Sequence, residues 1–185
     1  MQITARIAAY LFHEEALVPE AYLDSDTPPN WTWAGGLTEA SGVKVQQYIN
    51  RPAPLDVCVR ATLAMVTAKY LPNVARAFAG HALNDAQLAG ALSFEWNTDA
   101  IGRADWVRDW TGGNIAAARH DLTGNYLQGG KLTARRAREA ALFFTNTWPT
   151  DMHCLIYQVS KPGYRPIKPV ATDLTPILQQ ILGGA

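Results

Sequence analysis

Three residues near the N-terminus have the types and the order that breaking a glycosidic bond requires. Glu15 is followed nine residues later by Asp24, and eight residues beyond that by Thr32. Glycoside hydrolysis needs a carboxylic acid to protonate the leaving oxygen. It also needs a second carboxylate, acting as nucleophile or helping a water attack the opposite face of the sugar. The acid works best with a raised pKa, which surroundings of low polarity supply. Thr32 stands between Trp31 and Trp33, and its hydroxyl has the lone pairs to hold a water near Asp24. Taken alone, a Glu at a helix end and an Asp in a turn are equally the residues of a solvated surface.

The elements that must position these groups follow from periodicity. Ile3, Ile7, Tyr10, Leu11 and Leu17 recur at helical spacing, so residues 3–16 read as a helix that Pro19 interrupts. Residues 20–40 are rich in turn formers and aromatics and read as short strands joined by turns. From Pro54 the stripe Leu55, Val59, Leu63, Val66 and Tyr70 predicts a helix ended by Pro72. Asn84 with Gln87 three residues on is a capping-box pair opening the next helix, whose stripe is Leu88, Ala91, Leu92 and Trp96. Short helices follow at 103–110 and 113–121, then one at 133–147 with Thr133 as its cap. Beyond Pro149, CLIYQVS reads as a strand, GYRPIKPV as extended chain and 173–182 as a last short helix. The pattern is α+β: a small β element packed beside a mostly helical body.

Bulk properties narrow the function. The chain has 185 residues, 48% of them hydrophobic and 17% charged, the composition of a folded globular chain. Formal net charge is zero, so no bulk attraction to nucleic acid or anionic lipid is expected. Cys58 and Cys154 form no CxxC pair, and His13, His81, His120 and His153 lack metal-ligand spacing, so no metal site is expected. The two cysteines read as buried thiols, with a disulfide left open. The N-terminal stretch has neither a signal-peptide pattern nor a membrane-spanning run, because Arg6, Glu14 and Glu15 interrupt it. The expectation is a protein held in the cytoplasm until something else releases it.

The order of motifs adds a resemblance. Residues 15–24, E-A-L-V-P-E-A-Y-L-D, are similar to the active-site segment of phage-type lysozymes, glycoside hydrolase family 24. There a Glu precedes a Tyr-x-Asp by the same interval, and a Thr follows in a Gly-rich hairpin. Tyr22-Leu23-Asp24 and Trp31-Thr32-Trp33-Ala34-Gly35-Gly36 stand in those places. Ala91–Asn97 resembles the family's core helix motif, and Leu132–Phe143 its late R-R-x-x-E helix, followed by Thr147-Trp148. The resemblance covers roughly residues 5–150.

It implies a lysozyme-like α+β fold with residues 1–150 as catalytic domain; residues 151–185 lie beyond it, and their apolar strand and Pro-rich stretch suggest an extension packed on the same domain. It implies an N-acetylmuramidase that hydrolyses the β-1,4 bond between N-acetylmuramic acid and N-acetylglucosamine in bacterial peptidoglycan, with inversion. No cofactor or metal is implied, and a monomeric phage endolysin released through a lesion made by a holin is expected. Glu15 resembles the general acid, and the interval to Asp24 favours it over Glu14. Asp24 and Thr32 resemble the pair that positions the attacking water. Asn97 resembles a substrate-contacting amide, and Arg135 the cation that pairs with the catalytic Glu. Trp33 is expected either to contact sugar or, with Trp31, to cover the small sheet. Glu95, in an apolar helix, reads as a buried and satisfied acid. One departure is Leu37, which follows Gly36 where the family usually has His. It keeps open a lysozyme-like binding module without turnover, or an altered substrate.

Overall fold

The structure is a computed structural model, and it describes residues 1–183. The helices are α1 (Ala5–Glu15), α2 (Leu55–Met65), α3 (Leu71–Ala77), α4 (Asp85–Thr98), α5 (Asp105–Thr111), α6 (Ile115–Gly124), α7 (Thr133–Thr145) and α8 (Thr175–Leu182). The strands are β1 (Val18–Leu23), β2 (Trp31–Ala34), β3 (Leu37–Thr38), β4 (Cys154–Val159) and β5 (Pro166–Thr172). The α+β reading holds: a β1-β2-β3 sheet and a separate β4-β5 pair accompany the helices.

The sequence reading makes residues 1–150 the catalytic domain, with 151–185 packed on it. Contacts gather in two interleaved units, one of residues 1–7 and 66–150, the other of residues 8–65 and 151–185. The C-terminal segment therefore belongs to the same unit as the small sheet. The reason lies in backbone pairing. Leu17 donates its N–H to the Leu155 carbonyl at 2.9 Å, and Tyr157 donates to the Leu17 carbonyl at 2.9 Å. A lone hairpin is marginal in water and needs such neighbours. In the same unit α8 packs on α2, with Leu174 and Leu178 buried.

Within the sheet-bearing unit, α1 buries Tyr10, Leu11 and Phe12. It stops at Ala16, which adopts φ 61° and donates to the Phe12 carbonyl at 3.0 Å. That is a left-handed helix end made without glycine. β1 pairs antiparallel with β2 through Val18↔Ala34 and Tyr22↔Thr32, with an irregularity between the two pairs. Pro19 lies in that interval and cannot donate to a ladder, so a bulge is expected there. Gly36 (φ 85°) turns β2 into β3, while Gly35 sits so close to α2 that a Cβ would stand 2.6 Å from Thr62 Cγ2.

In the other unit, Asn84 and Gln87 exchange the two hydrogen bonds of the expected capping box at 2.9 and 3.0 Å. α4 is buried along most of its length and packs against α7. Phe78, Trp106, Trp110 and Phe143 meet tilted or edge to face. Two expectations are corrected here. Pro72 does not end the preceding helix: the chain passes through a π-helical turn at Val66–Tyr70 into α3, with Pro72 in its first turn. Pro72 has no N–H to give to the helical carbonyls before it, and the wider π turn just ahead of it is where the regular ladder gives way. Thr133 is the first residue of α7 and not its cap; its hydroxyl donates to the Gly130 carbonyl at 2.9 Å.

Candidate active site

Glu15 closes α1, and the left-handed turn at Ala16 sends the chain directly into β1. Asp24 follows the last residue of β1. Its N–H donates to the Asn30 carbonyl at 3.0 Å, closing the 25–29 loop. The register pairs Tyr22 with Thr32, and directly opposed residues project to the same face. Thr32 Oγ1 accordingly donates to Asp24 Oδ2 at 3.1 Å. The other carboxyl oxygen, Oδ1, accepts from the N–H of Asn30 at 2.8 Å and of Asp26 at 3.1 Å.

Partial burial pushes the Asp24 carboxyl up. The N–H groups of Asn30 and Asp26 and the Thr32 hydroxyl outweigh it and hold the carboxyl below the usual Asp range. Asp24 is thus a pinned anion in a fixed orientation. Thr32 is buried and spends its proton on Asp24, which leaves its lone pairs to accept from a water. Tyr22, two residues before Asp24 in β1, is half-buried. Its phenol is pushed up to about 12, first by burial, then by the charge of Asp24, then by that of Glu15.

Beside Asp24 is an open groove of about 510 Å³ lined by Asp24, Asp26, Asn30, Trp31, Glu39 and Gln46. Carboxylates and amides beside an aromatic ring are the groups that bind sugar hydroxyls and sugar faces. Trp31 is half-buried there, while Trp33 is 1% exposed, stacked on Tyr48 at 3.7 Å, and donates its indole N–H to the Pro19 carbonyl at 2.8 Å. Of the two readings given above for Trp33, sugar contact or cover for the small sheet, its burial and these partners fit the second. Leu37 is fully buried, so where the resembling family has His this chain has core. Glu20 pairs with Lys161.

Asn97 and Arg135 lie in the other unit. Arg135 Nε donates to Glu139 Oε1 at 3.1 Å, and its Nη2 to the Ser93 carbonyl at 2.9 Å. Arg136 Nη1 donates to Glu139 Oε2 at 2.6 Å, and Ser93 Oγ to Glu139 Oε1 at 2.6 Å. Arg136 also reaches Asn97 Oδ1. Asn97 is half-buried, so what its amide offers a ligand is N–H donors. A second depression, of about 430 Å³, is lined by Asn73, Arg76, Glu95, Asp99 and Arg103. Glu95 is buried there and accepts from Asn73 at 2.7 Å and the Ile101 N–H at 2.8 Å, which makes it the satisfied acid expected. Sequence reasoning missed Arg165, whose guanidinium donates to the Leu23 carbonyl at 3.1 Å and to the Asp24 carbonyl. No local signal marks a residue 141 positions away from its partner.

No protein-family model and no curated protein sequence matches the chain. Solved structures do. The endolysin from Escherichia coli O157:H7 phage FAHEc1 superposes with a TM-score of 0.63 at 17% identity, covering 81% of this chain and 98% of the endolysin. A mutant of P22 lysozyme gives 0.62 at 21% identity, covering 78% and 99%. This chain has the phage-lysozyme fold. The muramidase domain of SpmX from Asticaccaulis excentricus shares that fold, at 0.58 and 20% identity over 78% and 98%. These lysozyme-fold proteins are matched over nearly their whole length, whereas about one fifth of this chain lies outside each match. Among the described residues, no cluster of His, Cys, Asp and Glu is fit to hold a metal ion, and no helix is long and apolar enough to cross a membrane.

Proposed function

We propose that the chain is a peptidoglycan hydrolase, an N-acetylmuramidase that cuts the β-1,4 bond between N-acetylmuramic acid and N-acetylglucosamine. The observation that carries this reading is the Asp24 carboxylate, held by the Thr32 hydroxyl and the N–H groups of Asn30 and Asp26 beside the groove that Trp31 lines. Glu15 gives its proton to the glycosidic oxygen as the C1–O bond breaks. A water accepted by Thr32 attacks C1 from the other face and passes a proton to Asp24. The leaving sugar keeps the Glu15 proton on its 4-hydroxyl, the muramic acid gains a hydroxyl at C1, and solvent resets both carboxyls. Carboxylates that flank a water give inversion. The groove beside Asp24, with Trp31 on its wall, is the proposed seat for a sugar ring.

The resemblance also assigns Asn97 to the substrate and Arg135 to Glu15, and both roles are part of this proposal. A phage endolysin reaching the wall through a lesion made by another protein is the setting it fits. The test is loss of turbidity of permeabilised bacteria. Wild type is expected to clear them, and Glu15→Gln to reduce the rate about 10³-fold or more, since the proton donor is gone. Mass spectrometry should find reducing-end muramic acid, and proton NMR the inverted anomer first. No clearing by wild type on any wall type sinks the enzyme reading and leaves a lysozyme-like binding module.

A further inference from the structure

The β4–β5 hairpin holds both ends of the segment that carries Glu15 and Asp24. At the first end, two residues past Glu15, Leu17 forms a parallel bridge with Ile156 and exchanges hydrogen bonds with Leu155 and Tyr157 at 2.9 Å each. At the second end, the Leu23 N–H donates to the Tyr164 carbonyl at 2.8 Å. The next residue, Arg165, donates one guanidinium nitrogen to the carbonyls of Leu23 and Asp24. The tight turn between β4 and β5 is itself tied. Tyr164 N–H donates to the Ser160 carbonyl at 2.8 Å, and Ser160 N–H to the Arg165 carbonyl at 2.9 Å. Tyr164 sets its ring edge-on to Trp31 at 5.0 Å. Lys161 pairs with Glu20, midway along β1, and lies over the Tyr164 ring at 4.1 Å.

We propose that this hairpin is a brace that sets the placement of Glu15 relative to Asp24, and that Arg165 is a positioning residue for Asp24. The inference rests on the muramidase reading. The physical need is plain. β1 is irregular between Val18 and Tyr22, so its ladder with β2 leaves the segment between the two carboxylates short of regular pairing. Misplacement of a reacting group by about 1 Å costs on the order of 10² in rate. Ties from one hairpin at Leu17 and at Leu23–Asp24 supply the missing restraint. Arg165 grips the backbone carbonyl of Asp24 and leaves the carboxyl to Thr32, Asn30 and Asp26. It therefore acts on where the carboxylate stands and not on whether substrate binds.

The test compares full-length wild type, Arg165→Ala, Arg165→Lys and Val170→Ala, the last an exposed β5 residue serving as control. Peptidoglycan hydrolysis is followed for kcat and KM, and circular dichroism checks folding. Arg165→Ala should lower kcat about 10-fold to 100-fold with KM within about twofold. Arg165→Lys should recover part of the loss, and Val170→Ala should match wild type. Should Arg165→Ala fail to fold, hydrogen exchange on the wild type decides. The amides of Leu17, Leu23 and Tyr157 should then be protected together, and a Leu23 amide exchanging as fast as open chain overturns the brace. Wild-type kcat in a folded Arg165→Ala also overturns it, while the muramidase reading stands. A wild type with no hydrolytic activity sinks both.

Discussion

At the scale of single residues, Asp24 is the group whose surroundings are best defined. Its pKa lies below the ordinary Asp value because hydrogen bonds to the charged form outweigh partial burial. A group depressed in this way stays ionised as pH falls and is lost only when pH drops through its folded value. Activity that needs the Asp24 anion is therefore expected to persist into mild acid. Thr32→Val removes one of the hydrogen bonds that lower this pKa. The acid limb of the pH–kcat profile should then move to higher pH, and kcat at neutral pH should fall about 10-fold to 100-fold, since the water also loses its acceptor. An unmoved acid limb in this variant argues that Thr32 does not tune Asp24. Trp33 shows the converse case. With its ring against Tyr48 and its N–H on Pro19, nothing of it is left for a ligand.

At the scale of elements, α4 and α7 are joined by an ionic network. Glu139 is fully buried and receives both Arg135 and Arg136 together with the Ser93 hydroxyl. Gly90 lets the helices meet, since a Cβ there would stand 3.0 Å from the Glu139 carbonyl. Removing one partner of a buried ion cluster leaves uncompensated charge, at a cost of about 3–5 kcal/mol. Glu139→Ala should therefore lower the free energy of unfolding in urea by about that amount. A loss below about 1 kcal/mol would show that the network relaxes onto water and does not hold the helices. The R-R-x-x-E spacing made this legible in part: Arg135 and Glu139 lie four apart and Arg136 and Glu139 three apart, both facing pairs on a helix. The part played by Ser93, 46 positions from Glu139, was not.

At the scale of the whole molecule, the two cysteines are a probe of integrity. Cys58 and Cys154 are free and buried, and burial pushes each thiol up to about 12. The thiolate is the reactive form, so neither should react with a thiol reagent at pH 8 while the chain is folded. Unfolding in urea without reductant should release two thiols per chain. Two fast-reacting thiols in the native protein would contradict the burial of both α2 and β4. Cys58 and Cys154 lie 96 positions apart yet in one unit, so their joint release would mark unfolding of the sheet-bearing unit as one body.

Helices α1, α4 and α7, the Asn84–Gln87 box and the order Glu15, Asp24, Thr32 could be read from the sequence alone. Helical stripes, caps and strand alternation act over a few residues, and the chain carries them whatever its partners. That Thr32 comes near Asp24 was legible nearly as far, because a short hairpin brings residues eight apart together; the direct hydrogen bond between them was not. Only the tertiary structure decided that Trp31 lines a groove while Trp33 packs, that Arg135 bonds Glu139 and Ser93, and that residues 151–183 join the sheet-bearing unit. Each of these depends on which distant backbone or side-chain group completes a hydrogen bond or covers a ring. Leu23 has a free N–H in any sequence reading; that Tyr164 accepts it follows from the folded path of the intervening 140 residues.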